Sequence, residues 1–420
     1  MPTRVLILGN NLNQGVTIAD ALCARGWKAH SLSFHDSLSQ DSDYWWTNIH
    51  AANASRHSTW PTRPEDFSLR PKRKQAFHKL VSFMKNFDIV IAREDFVGMA
   101  RRLDIPIVFW AQGADIQVRP WQLRSDLLDL RYDPRELGNW RRVLLWPLTL
   151  RRQWGQRQGI RRSAAVVIAP YQDGVAKRLG VDASRIHFLP TLTSRIERPR
   201  LRDEAQIISF TDTLEQAAFL STQHHTLFYH PTRVLLKRSA GDQYRKCNER
   251  LLHAWGRLMT SKNDSSAHLV MTIKGSARDL SQMRALAATL GLEGSITWVP
   301  PMPAWFVREI MRLQNVVVVD QFSEDLPSLG DVGRMAVREG KVLITSYSGI
   351  DNAMFTSPPP SILSANSTEE ILERLVYCCR LSNPERDAIG KEASTWFESN
   401  CSEKRVADGL EKILHQCLAR

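Results

Sequence analysis

HPTRVLLKRSAGDQYRKCNERLLHAW, residues 230–255, is the stretch that decides how this chain folds. The apolar run LFYH (227–230) leads into it and has the length and character of a buried strand. A loop follows that carries Arg233, Lys237 and Lys246. NERLLHAWGRLM, from Asn248 onward, then places its apolar residues at helical spacing. Strand, basic loop and amphipathic helix in that order open an α/β domain with a parallel sheet. In such sheets ligands gather beyond the C-terminal ends of the strands, which is where this loop lies.

The same alternation continues downstream. HLVMTIKG (268–275), ITWVP (296–300), NVVVVDQF (315–322) and KVLITS (341–346) are apolar runs of strand length. DLSQMRALAATLGL, between the first two, has helical spacing, and the tail from about Ser367 is mostly helical. Upstream lies a first series. Arg4–Leu8 runs into GNNLNQG and the helical VTIADALCARG, and WKAHSLSF resumes an extended pattern. FDIVIA (87–92), PIVFW (106–110), AAVVIA (164–169) and IHFLP (186–190) add further buried strands. Residues 40–75 read as a long polar excursion, and 195–225 as a charged, irregular connector. The expected organisation is an N-terminal Rossmann-like domain over 1–200, a connector over 201–225, a C-terminal Rossmann-like domain over 226–395 and a final helix within 396–420. Two doubly wound domains would bring strand ends together on a shared cleft.

Composition agrees with two domains, because 420 residues exceed what one hydrophobic core usually supports. No run of about 18 apolar residues exists to span a membrane. MPTRVLILGN reaches its glycine turn too soon for a secretory leader. The six cysteines form no CxxC pair, so no metal site is expected and a reduced, cytoplasmic setting is. A formal charge of +12 favours an anionic partner. The first glycine turn, Gly9 to Gly15, is not GxGxxG, and His30 stands near where a ribose-binding acid would be needed; this argues against a dinucleotide-dependent dehydrogenase. No nucleic-acid-binding motif is present, so no nucleic-acid partner is expected.

His230-Pro231-Thr232-Arg233, then Lys246-Cys247-Asn248 and Leu251-Leu252, resemble the opening of the C-terminal domain in the large retaining GT-B family of bacterial glycosyltransferases (family 4-like, group 1). WVPPMPAWFVREIMRLQNVVVVDQF (298–322) and LGDVGRMAVREGKVLITSYSG (329–349) are similar to later motifs of that family, as is the 164–191 stretch that closes the first domain. The resemblance covers about residues 80–120, 160–195 and 225–350. It implies two Rossmann-like domains facing a cleft, with the final helix crossing back to the first. It also implies that Arg233 and Lys246 grip the diphosphate of a nucleotide-sugar donor, with Lys237 the rival for the lysine role. The chemistry fits, since a nucleoside diphosphate leaving group gains charge in the transition state and fixed cations stabilise it. Lys274, Gly275 and Pro301 fall on donor-side loops. Gly330, Asp331 and Gly333 place a helix N-terminus at the diphosphate.

In the first domain, WAQGADIQVRP (110–120) resembles the family's HGSDIR loop. Gln112 stands where the family has a sugar-contacting histidine, while Gly113 and Asp115 match. Asn10 and Gly15 bound an acceptor-facing or phosphate-facing loop. One departure is clear: the family's paired acids fall on Pro327 and Met335. The implied activity is transfer of a sugar from a nucleotide donor to a lipid-linked or polysaccharide acceptor, metal-independent and retaining, with no cofactor beyond the donor. The alternative left open is a non-catalytic GT-B relative that binds a nucleotide sugar or glycan. Residues 135–162 hold eight arginines and one acid, Glu136, interleaved with Trp140, Trp146 and Trp154. They suit docking on an anionic membrane, and Pro147 is expected to split them into two helices.

Overall fold

Strands buried on both faces read as near-continuous apolar runs, as Ile89–Ala92 and Val316–Val319 do here. In β1 (Arg4–Leu8), Leu6 and Leu8 turn to one face and Val5 and Ile7 to the other, as period-two alternation demands. The structure, a computed structural model, describes residues 2–9, 14–34, 57–60, 71–111, 116, 146–193, 204–236, 246–261, 266–323, 328–360 and 362–420. These divide into two compact units, residues 2–193 with Glu403–Arg420, and residues 204–402.

The first unit runs β1, α1 (Gln14–Cys23), β2 (Lys28–Phe34), β3 (His57–Trp60), α2 (Pro71–Met84), β4 (Ile89–Arg93), α3 (Val97–Ala100), β5 (Ile107–Trp110), α4 (Trp146–Arg162), β6 (Ala165–Ile168), α5 (Asp173–Arg178) and β7 (Ile186–Phe188). All seven strands pair in parallel, in the order β3-β2-β1-β4-β5-β6-β7. One face packs on Phe77, Leu80 and Met84 of α2 and on Ile160 of α4. The other packs on Ile18 and Leu22 of α1 and on the chain's last helix.

The second unit begins with α6 (Glu204–Gln223), then β8 (Thr226–His230), α7 (Asn248–Thr260), β9 (Ala267–Thr272), α8 (Ala277–Thr289), β10 (Ile296–Val299), α9 (Ala304–Arg312), β11 (Val316–Val319), α10 (Asp331–Arg338), β12 (Leu343–Thr345), β13 (Ile362–Ser364), α11 (Thr368–Arg380) and α12 (Asn383–Cys401). Its six strands are also parallel, ordered β10-β9-β8-β11-β12-β13. The last helix, α13 (Glu403–Leu418), belongs to the first unit. There Val406, Leu410, Ile413 and Leu414 are buried, Asp408 pairs with Arg25 at 2.8 Å, and Glu411 accepts from the Trp27 indole at 2.8 Å.

Two local expectations are corrected. The supposed irregular connector is the helix α6, with the Phe210 ring tilted against Phe306, centroids 5.3 Å apart; its buried stripe is too thin to show as periodicity. The polar excursion contains an edge strand, β3, which needs only one neighbour. Pro147 sits in the first turn of α4, where a missing N–H costs nothing. Residues 135–145 lie outside the described residues.

Gly340 ends α10 at φ +67°, and a Cβ on Gly390 of α12 would stand 1.8 Å from its carbonyl oxygen. Backbone therefore meets backbone between these two elements. Gly390→Ala should destabilise the second unit by about 1–3 kcal/mol through overpacking, read as a lower midpoint in urea unfolding.

Candidate functional site

The loops beyond the C-terminal ends of β8, β9, β11 and β12 converge around the first turn of α10. His230, the last residue of β8, is fully buried. Its Nδ1 lies 2.9 Å from the Val319 carbonyl, which can only accept, so Nδ1 carries the proton. Nε2 then accepts from the Asn248 amide at 2.8 Å. Asn248 Oδ1 in turn accepts from the Leu235 amide at 3.0 Å. Desolvation lowers the His230 pKa to about 4, so the ring is neutral. This histidine is a buried strut between β8, β11 and the first residue of α7.

Asp320 is the second fixed point. It follows β11 and is 1% exposed. Thr232 Oγ1 donates to its Oδ1 at 2.6 Å, and the Gly333 amide donates to its Oδ2 at 3.2 Å. The carboxylate thus sits at the positive end of α10. It ties that helix to the turn that carries Arg233. A Cβ on Gly330 would stand 3.0 Å from Asp320 Oδ2, and one on Gly333 3.3 Å, so side chains at either position would press on the carboxylate.

Lys246 is held through its backbone. Its N–H donates to the Leu235 carbonyl at 3.0 Å, and its carbonyl accepts from the Phe322 amide at 3.1 Å. Cys247 takes a left-handed conformation, φ 52°, and turns the chain into α7. Burial holds the Lys246 ammonium below the usual lysine range. Asp320 and Asp331 oppose that shift; Arg233 and Lys274 add to it. Three cations and two carboxylates therefore share one field.

Lys274 is brought in by a parallel bridge between Val234 and Gly275, with the Val234 amide donating to the Lys274 carbonyl at 2.7 Å. A Cβ on Gly275 would lie 2.7 Å from the Val234 carbonyl oxygen, so Gly275 permits that approach. Asp331, first in α10, is ion-paired with Arg334. Pro301 lies in the loop from β10 to α9; β10 lies two strands from β8, roughly 10 Å across the sheet.

Gly15 is buried in the first turn of α1. Asn10, Gln112, Gly113, Asp115, Lys237 and Pro327 lie outside the described residues. Met335, at the other position of the family's acid pair, is buried. Glu339, the neighbouring acid, is committed to Arg312 at 2.7 Å. The sequence had shown His230, Thr232 and Asn248 as parts of a motif, without roles. Asp320 could have been noticed as an acid directly after four consecutive valines, a place where a charge needs partners.

No family model matches the sequence, and no curated protein matches it. Solved structures resemble it along nearly its whole length. HepE from Anabaena, in complex with UDP and glucose, is 12% identical with a TM-score of 0.62, covering 98% of this chain and 99% of that one. Sucrose-phosphate synthase from Thermosynechococcus elongatus is 12% identical with a TM-score of 0.60, covering 99% of both chains. UDP-GlcNAc 2-epimerase from Neisseria meningitidis, bound to UDP-GlcNAc, is 11% identical with a TM-score of 0.55, covering 99% and 100%. The chain has the GT-B fold.

The neutral, buried His230 sets a pH dependence. Its folded pKa of about 4 lies below the ordinary 6.5, so the stability it contributes is complete above 6.5 and is lost as pH falls from 6.5 to 4. The loss is about 3 kcal/mol, because each tenfold drop in proton affinity on folding is worth about 1.4 kcal/mol. In urea titrations across that range, His230→Gln should remove one proton's worth of the slope.

Proposed function

We propose that this GT-B chain is a glycosyltransferase that moves a sugar from a nucleotide-activated donor to a lipid-linked or polysaccharide acceptor. The observation that carries the reading is the gathering of Arg233, Lys246 and Lys274 around the first turn of α10, at the C-terminal ends of parallel strands. Such a constellation suits a diphosphate: cations meet its oxygens, and the helix N-terminus adds oriented amides. The solved neighbours bound to UDP, glucose and UDP-GlcNAc support a nucleotide-sugar ligand. The epimerase among them shows that the fold alone does not choose the reaction.

In the proposed reaction Arg233 and Lys246 bind and neutralise the departing diphosphate, without a metal and without a cofactor beyond the donor. A departing phosphate oxygen takes the acceptor's proton, which suits retention and requires no protein base. Gln112 would hydrogen-bond a sugar hydroxyl, with Gly113 and Asp115 in its loop; Asn10 and Gly15 would bound an acceptor-facing or phosphate-facing loop. One observation favours a second reading, a non-catalytic binder of nucleotide sugar or glycan: apolar Met335 is buried where relatives carry an acid. Turnover of a nucleotide sugar in the presence of EDTA supports the first reading; binding without turnover supports the second.

The proposed setting is cytoplasmic and peripheral to an anionic membrane. Among the described residues no helix is long and apolar enough to cross a membrane. On α4, Leu150 is 48% and Trp154 56% exposed, beside exposed Arg151, Arg161 and Arg162. Apolar and cationic side chains open to solvent on one helix suit an anionic lipid surface.

Arg233→Ala and Lys246→Ala should each weaken nucleoside diphosphate binding roughly ten- to hundredfold, for a lost charged hydrogen bond of about 1.5–3 kcal/mol. Calorimetric titration measures this, and circular dichroism should show the fold unchanged. An effect from Lys237→Ala alone transfers the lysine's role; no effect from any of the three removes the nucleotide-binding reading. Replacing Arg141, Arg142, Arg151 and Arg152 with Ser should abolish co-sedimentation with anionic liposomes, at roughly 1 kcal/mol per basic residue near the surface. Equal sedimentation of wild type and variant rejects the membrane.

A further inference from the structure

Beside the basic cluster lies a set of buried polar groups that the diphosphate does not use. Gln321, immediately after Asp320, is 0% exposed, and among the described residues neither its Nε2 nor its Oε1 has a hydrogen-bond partner. Ser323 and Ser346, each 2% exposed, carry hydroxyls in the same condition. Gln321 and Ser346 are neighbours across two strands, and Ser323 follows Gln321 by two residues. The Gln321 carbonyl accepts from the Ser346 amide at 2.8 Å and from Thr345 Oγ1 at 3.1 Å, so the ends of β11 and β12 run side by side there. The Gln321 amide also reaches the start of α10, since a Cβ on Gly330 would stand 3.6 Å from its Nε2.

Leaving buried polar atoms unmet costs about 1–3 kcal/mol each, and folded chains rarely tolerate several at one place. A backbone need does not explain these groups: the local main-chain hydrogen bonds are already made by the Gln321 carbonyl and the Ser346 amide. The chemistry of the missing partner follows from the inventory. A carboxamide presents two donors and one acceptor oxygen; a hydroxyl is both donor and acceptor. A phosphate, which only accepts, would leave the Gln321 oxygen unmet. A group bearing adjacent hydroxyls satisfies all of them.

We infer that Gln321, Ser323 and Ser346 form a subsite for the hydroxyl-bearing glycosyl part of the ligand, next to the diphosphate at the first turn of α10. This rests on reading the chain as a nucleotide-sugar binder and says which residues hold the sugar. The positions that carry paired acids in the family this sequence resembles hold Pro327 and Met335 here.

The test compares two ligands that differ only in the sugar. Wild type, Gln321→Met and Ser346→Ala are titrated calorimetrically with UDP and UDP-glucose, and with GDP and GDP-mannose, ADP and ADP-glucose. For the pair that binds, the two variants should lose about tenfold in affinity for the nucleotide sugar, the worth of one or two neutral hydrogen bonds, and keep their affinity for the diphosphate within about twofold. Gln321→Met should also melt at or above the wild-type temperature without ligand, because it replaces an unmet buried amide with an apolar isostere. Unchanged affinity for both ligands means that the groups hold only buried water and overturns the inference. So does equal weakening of both, or a melting temperature lowered by Gln321→Met, which would reveal a structural partner whatever the ligand. Failure of wild type to bind any of the diphosphates is the distinct result that removes the functional reading, and the inference falls with it.

Discussion

The second unit depends on where a single buried carboxylate is placed. Asp320 stands at the end of a strand of valines, where an unpaired charge would be costly. Its two oxygens are met by Thr232 Oγ1 and the Gly333 amide. Those bonds reach both ways across the sheet, to the turn after β8 and to the first turn of α10. The elements that carry Arg233 and the helix N-terminus are therefore held by one residue. His230 and Asn248 repeat the arrangement one layer away, fixing the loop that leads to Lys246. Lysine and arginine side chains are flexible, and a site that must meet a diphosphate gains from having their backbones fixed beforehand.

That arrangement separates two questions that the GT-B fold tends to merge. Binding an anion needs cations, oriented amides and a rigid frame, and the second unit has all three. Choosing a reaction needs groups that meet the sugar. At this point the chain departs from the proteins its sequence resembles: Met335 packs into the core of the second unit, and Glu339 is bound to Arg312. Polar groups that carry no formal charge stand at the strand ends instead.

Much of this was legible in the chain itself. Apolar runs such as IVIA in β4 and VVVV in β11 can be buried only on both faces, which requires a parallel sheet covered by helices. The basic loop after LFYH announced a site for an anion. What could not be read were elements whose burial is slight. The helix α6 exposes Ile208 and Phe219 and hides little more than Phe210, Thr213 and Ala217, so its sequence looks like a charged connector. The edge strand β3 is four residues long and needs a partner on one side only.

The sequence by itself determined the fold class, the two series of strands and the presence of Arg233 and Lys246 on one loop, because each follows from local spacing and residue type. Tertiary structure alone decided that Asp320 anchors α10, that the final helix packs on Trp27 and Arg25, and that Gln321 is left with an amide unmet among the described residues. The physical reason is separation along the chain. Asp320 is 88 residues from Thr232, and Glu411 is 384 from Trp27. Contacts over such distances arise only once the sheets have formed, and no local pattern in the residues encodes them.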